Sequence, residues 1–517
     1  MRLTPEAIEE CLRVLETIAA DRSELAYVEL ELRNRLLTVA GRVSRPERTE
    51  QRLLSREVRR KGKRDVRAAD RAILAQAGIR QKRLEPVFSS PARPQLSEAG
   101  GGAFEPASAG APSASASSAL EETPPLNVAR SCYVCKTRCT RMHGFYDHLC
   151  AACGDFNFAK RTQTADLRGR VALISGARVK IGYQAALMLL RAGARVIVST
   201  RFPRDAALRY AREADFEDFR ERLQIYGLDL RHTPSVEAFA GVIAQSEARL
   251  DFMLHNACQT VRRPSGFYGH LMEGELAPLA RLPPQAARLL ADYEGMRTDA
   301  ARQLGDGSSR GRPAVGLQAA SALSQVALTA EDLDASAGLF PLGALDADLQ
   351  QVDRRGINSW RLPLAEVGTV ELLEVQLVNA IAPFLLNARL KPLMLKERTF
   401  DKHIVNVSAM EGQFYRRFKT DKHPHTNMAK AALNMMTRTS APDYAKDGIF
   451  MNSVDTGWVT DEDPLHIAAR KTEENGFHPP LDIVDGAARI VDPIFDGLNT
   501  GRHVWGQFLK DYKPTAW

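Results

Sequence analysis

Apolar residues recur at three- and four-residue spacing early in the chain, as Ile8, Leu12, Leu15 and Ile18 in PEAIEECLRVLETIA, and again through ELAYVELELRNRLLTVAGRV. That period predicts amphipathic helices, with Ser23 as a cap before the second. A third helix, rich in arginine, completes a helical region over 1–85. The pattern then stops. SEAGGGAFEPASAGAPSASASSAL has too little apolar content to offset the cost of ordering a core, so 86–127 is expected to be a disordered Pro/Ala/Ser/Gly linker. Near residue 169 a different pattern begins. GRVALISGARVKIGYQAALMLLRAGARVIVSTR reads as strand, glycine turn, helix and strand, and the first strand is apolar on both faces. LQIYGLDL, RLDFMLHNA, KHIVNVS and GIFMNSV supply further strands between helical stretches. The alternation predicts an α/β fold with a doubly wound parallel sheet over 166–517.

Composition changes this picture little. At 517 residues, 44% hydrophobic and 26% charged, the chain suits a globular protein of several domains. The opening MRLTPEAIEE lacks a secretory pattern and no run of about 18 apolar residues appears, so a cytoplasmic protein with no membrane association is expected. The net charge of +7 is uneven: Arg52 to Arg83 holds twelve Lys/Arg against Glu57, Asp65 and Asp70. A solvated helix and an arm for an acidic partner both fit that run.

The seven cysteines matter more. Cys132/Cys135 and Cys150/Cys153 form two Cys-x-x-Cys knuckles in CYVCKTRCTRMHGFYDHLCAAC, over 128–165. Four thiolates on two tight turns suit a tetrahedral structural zinc with no open position for catalysis. Cys139, His143 and His148 are spare donors.

From Arg168 onward the chain resembles the short-chain dehydrogenase/reductase superfamily. The matches are SGARVKIG for T-G-x-x-x-G-x-G, LDL with Asp229, HNAC for N-N-A-G, Asn379 in VNAIAPF, IVNVSA for the serine strand, Lys430, and NSVDTGWVT for N-x-V-x-P-G. The resemblance implies a bound nicotinamide dinucleotide held by Ser175, Gly176, Ile181 and Gly182 in the turn. It adds Asp229 near the adenine, Asn256 and Ala257, Lys430 at the ribose, and Gly457, Val459 and Thr460 after the sixth strand. The end of the second strand, Ser199-Thr200-Arg201, carries no carboxylate against a 2′-phosphate, and Arg178 and Lys180 lie in the neighbouring turn. NADP(H) is therefore expected over NAD(H).

Departures from the family pattern cluster at the chemistry. Lys180 replaces the middle glycine, Cys258 the last glycine of N-N-A-G, and Thr456 the proline before Gly457. Thr426 stands where the family has tyrosine in Tyr-x-x-x-Lys, and Ala409 where it has serine; Ser408, one residue early, would turn to the other face of a regular strand. A threonine hydroxyl is too weak an acid to replace a phenol, so His425 (or His423) and Tyr415 are the candidate proton donors. Tyr183 reads as packing. The chain between Asn256 and Asn379 is longer than the family's, which places an insertion at about 260–368, read as a lid or a homo-oligomer or partner surface. Two functions stand: an oxidoreductase for an unidentified small carbonyl or alcohol substrate with a rearranged donor, and a non-catalytic dinucleotide-binding scaffold.

Overall fold

The computed structural model describes residues 4–91, 123–305, 315–415 apart from 335 and 337, and 419–517. Most of the expected linker and the glycine-serine loop of the insertion fall outside the described residues. The chain divides into two units, Met1–Ala72 and Ile73–Trp517.

The first unit is helical. Helix Pro5–Ala20 starts at Thr4, whose side chain accepts from the Ala7 N–H, with proline at the first position. Ser23 does not cap the second helix. Asp21 accepts from the Ser23 N–H instead, residues Arg22–Tyr27 form a 3-10 turn, and the α-helix begins at Leu30. The carboxylate is the stronger acceptor and captures the local N–H groups first. The basic helix runs 28 residues, Arg48–Ala75, with Arg52, Arg56, Arg59, Arg60 and Lys63 exposed.

The second unit starts earlier than the expected boundary at 86. Arg80 pairs with Asp147 at 2.5 Å, and Arg83 donates to the carbonyls of Pro479 and Leu481 at 2.7 and 3.0 Å, so this short helical segment belongs with the sheet domain. The sheet strands are β1 Val171–Ser175, β2 Arg195–Thr200, β3 Leu223–Gly227, β4 Phe252–His255, β5 Lys402–Ser408, β6 Ile449–Asp455, β7 Phe508–Lys510 and β8 Lys513–Thr515. Their order across the sheet is β8-β7-β6-β5-β4-β1-β2-β3, parallel except for the β7–β8 hairpin. The order reverses between β1 and β4, and a doubly wound sheet opens its ligand crevice at that point. Helices α1 Lys180–Arg191 and α5 Ile483–Thr500 pack together, as do α2 Thr233–Ser246 and α3 Ala382–Leu395. The core is one cluster of side chains between these layers, including Ile174, Leu187, Val198, Phe252, Val405 and Ile494.

The continuous helical stretch Thr369–Leu395 is long and apolar enough to cross a membrane by length and composition alone. Here its apolar side is committed to the core: Ala382, Leu386, Leu390, Leu393 and Met394 are all buried against the sheet domain. Within it, Leu377–Ile381 widens to a π-turn that carries Asn379.

The insertion folds on the carboxyl edge of the sheet as short helices, beginning with Ser265–Leu276. Glu275 on that helix accepts from the Asp205 N–H at 2.8 Å and the Ser321 hydroxyl at 3.0 Å, and burial pushes its carboxyl up to about 7. The folded state therefore holds a proton that the unfolded chain releases nearer the ordinary carboxylate range. Stability should decline as pH rises from about 4.5 to about 7 and level off above, by about 3 kcal/mol at most. Glu275→Gln keeps the acceptor without the charge. Thermal melts of the two proteins should diverge in favour of the variant as pH increases through that window; parallel curves would refute the assignment.

Candidate functional site

The glycine turn after β1 is shaped by contacts that leave no room for side chains. Gly176 has φ +70°, and a Cβ there would come within 2.7 Å of the Ala257 backbone. A Cβ on Gly182 would run into the Asn256 side chain and the Gly176 carbonyl. Asn256 Nδ2 donates to that carbonyl at 2.9 Å, and the Ala257 N–H donates to Ser175 Oγ at 3.2 Å, so β4 fixes the turn from β1. Lys180, at the family's middle glycine, holds φ +56°. An L residue in that conformation costs on the order of 1 kcal/mol, and Lys180 is the first residue of α1, whose N-terminus favours anions.

This turn forms one wall of a cavity of about 600 Å³. Gly176, Arg178, Lys180, Ile181, Gly182, Thr200, Arg201, Asp229, Asn256, Ala257 and Thr460 all line it, as do Ser408, Ala409, Thr426 and Lys430. Ser175, Gly457 and Val459 stand just behind, in the turn and the loop after β6. The local motifs therefore converge on one crevice. Arg178 is not free for a phosphate, because its guanidinium is buried and pairs with Asp205 at 2.6 Å and Gln350 at 3.2 Å. Asp229 is likewise engaged: burial would raise its carboxyl, but the hydrogen bonds from Arg231 outweigh that and hold it below the ordinary range. Arg201 donates to Tyr268 Oη of the insertion at 2.7 Å and stacks 4.6 Å over that ring. Burial would raise the Tyr268 phenol, yet Arg201, Arg178 and Arg263 together hold it lower. Three guanidinium groups thus act on this side of the crevice.

At the other end, Lys430 Nζ donates to the Val407 carbonyl at 2.7 Å, within a nearly closed environment. Thr426 Oγ1 is buried with no hydrogen-bond partner among the described residues, and so is Ser408 Oγ. Ser408, the last residue of β5, and Ala409 both line the cavity; Ala409 is still extended, and the chain turns only after it, in the 3-10 turn Met410–Gly412. Asn379 accepts from the Gln259 N–H at 2.8 Å and donates to its carbonyl at 3.0 Å. Neither ring expected as proton donor reaches this space. Tyr415 is 89% exposed and away from the cavity. His425 is buried behind Thr426, 3.9 Å from Glu371, and burial depresses its imidazole, which keeps it neutral. His423, also lowered by burial, stacks on Trp360 at 3.9 Å. Tyr183 packs as expected, donating to Glu213 at 2.7 Å away from the chemistry.

The insertion closes the crevice with residues that sequence reasoning missed. Asn358 Nδ2 donates to the Glu462 carbonyl at 2.9 Å, Arg361 reaches Asp463 at 3.4 Å, and the His423 N–H donates to the Leu362 carbonyl at 3.0 Å. Residues 358–362 thus strap the loop after β6 to the start of helix α4 Pro424–Lys446, with Trp360 facing the cavity.

The four sulfurs of Cys132, Cys135, Cys150 and Cys153 lie within 4.8 Å of one another. Four soft thiol donors in that compass fit a zinc ion. Cys139, His143 and His148 stay outside it: Cys139 contacts the Arg130 carbonyl, His143 Nδ1 accepts from the Phe145 and Tyr146 N–H groups, and His148 pairs with Asp147.

A sheet of this order with a glycine turn at its switch point defines the class, a doubly wound nucleotide-type α/β protein. The short chain dehydrogenase family matches residues 170–268, and the enoyl-(acyl carrier protein) reductase family of the same superfamily matches 353–476. The chain belongs to the short-chain dehydrogenase/reductase superfamily, a family of oxidoreductases. The unmatched stretch between those ranges falls inside the insertion. An uncharacterised protein of Acanthamoeba polyphaga mimivirus is 31% identical over 383 residues, 71% of each chain. Dehydrogenase/reductase SDR family member 13 of Bos taurus is 39% identical over 104 residues, 19% of this chain and 27% of its own. Among solved structures, the carbonyl reductase Sniffer of Drosophila melanogaster is 16% identical with a TM-score of 0.39, covering 68% of this chain and all of that one.

Proposed function

We propose that the protein is an NADP(H)-dependent oxidoreductase that interconverts a carbonyl and an alcohol, with the Lys430 ammonium replacing the family's phenol as proton source. The observation that carries this reading is a single cavity joining the glycine turn, Arg201, Thr426 and Lys430. A cavity that reaches the buried lysine favours catalysis over a scaffold, which would need no such space. We also infer that the four cysteines hold a structural zinc.

A reduced nicotinamide supplies the hydride when bound. Gly176, Ile181 and Gly182 would hold the diphosphate by backbone N–H groups, and Arg201 the 2′-phosphate. Lys430 has three N–H bonds; one is held by the Val407 carbonyl, leaving two for a ribose hydroxyl and for the substrate oxygen or a water beside it. As charge grows on that oxygen, the ammonium stabilises it, gives up a proton and is later reprotonated from solvent. Thr426 and Ser408 can orient the oxygen by hydrogen bonding without losing a proton. The strap at 358–362 and Trp360 limit water at this end, which strengthens each of these interactions.

Purified protein mixed with NADPH and a panel of aldehydes and ketones should consume the reduced nicotinamide. Arg201→Ala should weaken NADPH binding about ten- to a hundred-fold, the value of a charge-assisted phosphate contact, and leave NADH almost unchanged. Absence of turnover together with equal affinity for the two cofactors would sink the reading.

A further inference from the structure

The cysteine module is packed directly onto the cofactor cavity. Its core residues Cys132, Phe145, Tyr146 and Leu149 share a buried cluster with Val459 from the loop after β6 and Leu481 just before α5, and Ile181 at the start of α1, next to the glycine turn, packs against the same cluster. The two elements that would grip a diphosphate from opposite sides thus rest on one small core. A hydrogen bond completes the link: the Trp458 N–H donates to Tyr133 Oη at 3.0 Å, and Tyr133 lies between the first pair of cysteines. The Tyr133 N–H donates in turn to the His148 carbonyl at 2.7 Å, which ties the first knuckle to the second.

We propose that Tyr133 is a positioning residue for the cofactor: the cysteine module, through this hydroxyl, holds the loop Thr456–Thr460 in its binding conformation. The sequence supplies the reason. Where the related family has a proline before the glycine, this chain has Thr456, so no ring fixes the backbone torsion. Gly457, at φ +78°, is the most permissive residue and comes next. An unrestrained Thr-Gly pair would sample many conformations, and each must be given up when a ligand binds. The tyrosine hydroxyl restrains the pair from outside, at the amide that immediately follows the glycine. Other contacts hold the module itself: Tyr146 Oη donates to Asp485 at 2.5 Å, and Arg161 pairs with Asp482 and Asp485 at 2.7 and 2.9 Å at the start of α5. Removing only the Tyr133 hydroxyl therefore leaves the module docked.

The proposal rests on the cofactor reading of the cavity, and the test separates the two. In full-length Tyr133→Phe, hydrogen exchange of the Trp458 amide, measured without any cofactor, should speed up by about ten-fold, while zinc content and melting temperature stay at the wild-type values. NADPH affinity, measured by fluorescence titration, should fall about three- to ten-fold, the range for one hydrogen bond. Saturating NADPH should recover turnover, so the loss lies in KM and not in kcat. Unchanged exchange at Trp458 would overturn the link between tyrosine and loop. Faster exchange with unchanged NADPH affinity would overturn the positioning role. Wild-type protein that binds no NADPH would instead overturn the reading of the cavity, and this proposal with it.

Discussion

Replacing Lys430 by alanine should lower turnover by about 10²–10⁴-fold, the usual contribution of a positioned general acid, and should weaken NADPH binding as well. Both effects follow from one side chain that is buried, held by the Val407 carbonyl at 2.7 Å and open to the cavity on its other side. Thr426→Val should cost far less, about ten-fold or under, because it removes an orienting hydroxyl and not an acid. Thr426→Tyr offers the opposite test. A phenol beside the intact lysine should raise the rate on simple ketones, with Ser408 able to orient the substrate. Steady-state kinetics of the three variants, with cofactor affinity measured separately, decide the matter. A Lys430→Ala protein that retains wild-type kcat would place the proton source elsewhere.

The second large effect concerns the metal. Purified protein should carry about one equivalent of zinc, and Cys132→Ser or Cys153→Ser should lose it. Structural zinc sites commonly contribute on the order of 10 kcal/mol to the fold they organise. Loss should therefore melt the 128–165 region: Phe145, Tyr146 and Leu149 would leave their cluster with Leu481 and Ile483, and protease should cut within the module. A metal-free preparation with wild-type protease resistance would refute the zinc assignment.

The features legible in the sequence are those set by short-range chemistry. The glycine turn was readable because its residues act through local backbone geometry, and the four cysteines because each knuckle is a two-residue gap. Parallel strands announced themselves as apolar runs, and the structure places those segments in one sheet, though not in chain order. What the sequence does not record is the partner that each side chain finds in the fold. Arg178 and Asp229 match motif positions, but each is captured by a charged partner, Asp205 and Arg231, that no motif names. His425 and Tyr415 are near Lys430 in sequence, yet helix α4 turns the first inward behind Thr426 and the loop before it carries the second to the surface. The contacts that finish the cavity join residues far apart in the chain, 67 residues for Arg201 with Tyr268 and 325 for Tyr133 with Trp458. No periodicity or spacing records such pairs.

The π-turn at Leu377–Ile381 sets a limit on how this chain can change in length. Glu374 and Asn379 both bind Gln259, the first at its side chain (3.0 Å) and the second at its backbone (2.8 Å). Five positions on a regular α-helix differ by about 140° around the axis, which would put the two on different faces; a turn closed between residues five apart brings them onto one. The same carboxylate holds Arg231 at 2.8 Å, and Glu371, one turn earlier, holds the Arg262 N–H at 2.9 Å. A gain or loss of one residue between 374 and 379 would swing Asn379 and the helix beyond it about 100° relative to Glu371 and Glu374, so both could no longer reach Gln259. Upstream, by contrast, the chain has admitted the entire 260–368 segment while keeping the sheet order intact. Length is thus free to drift on the rim of the crevice and is fixed to the single residue in the helix beneath it.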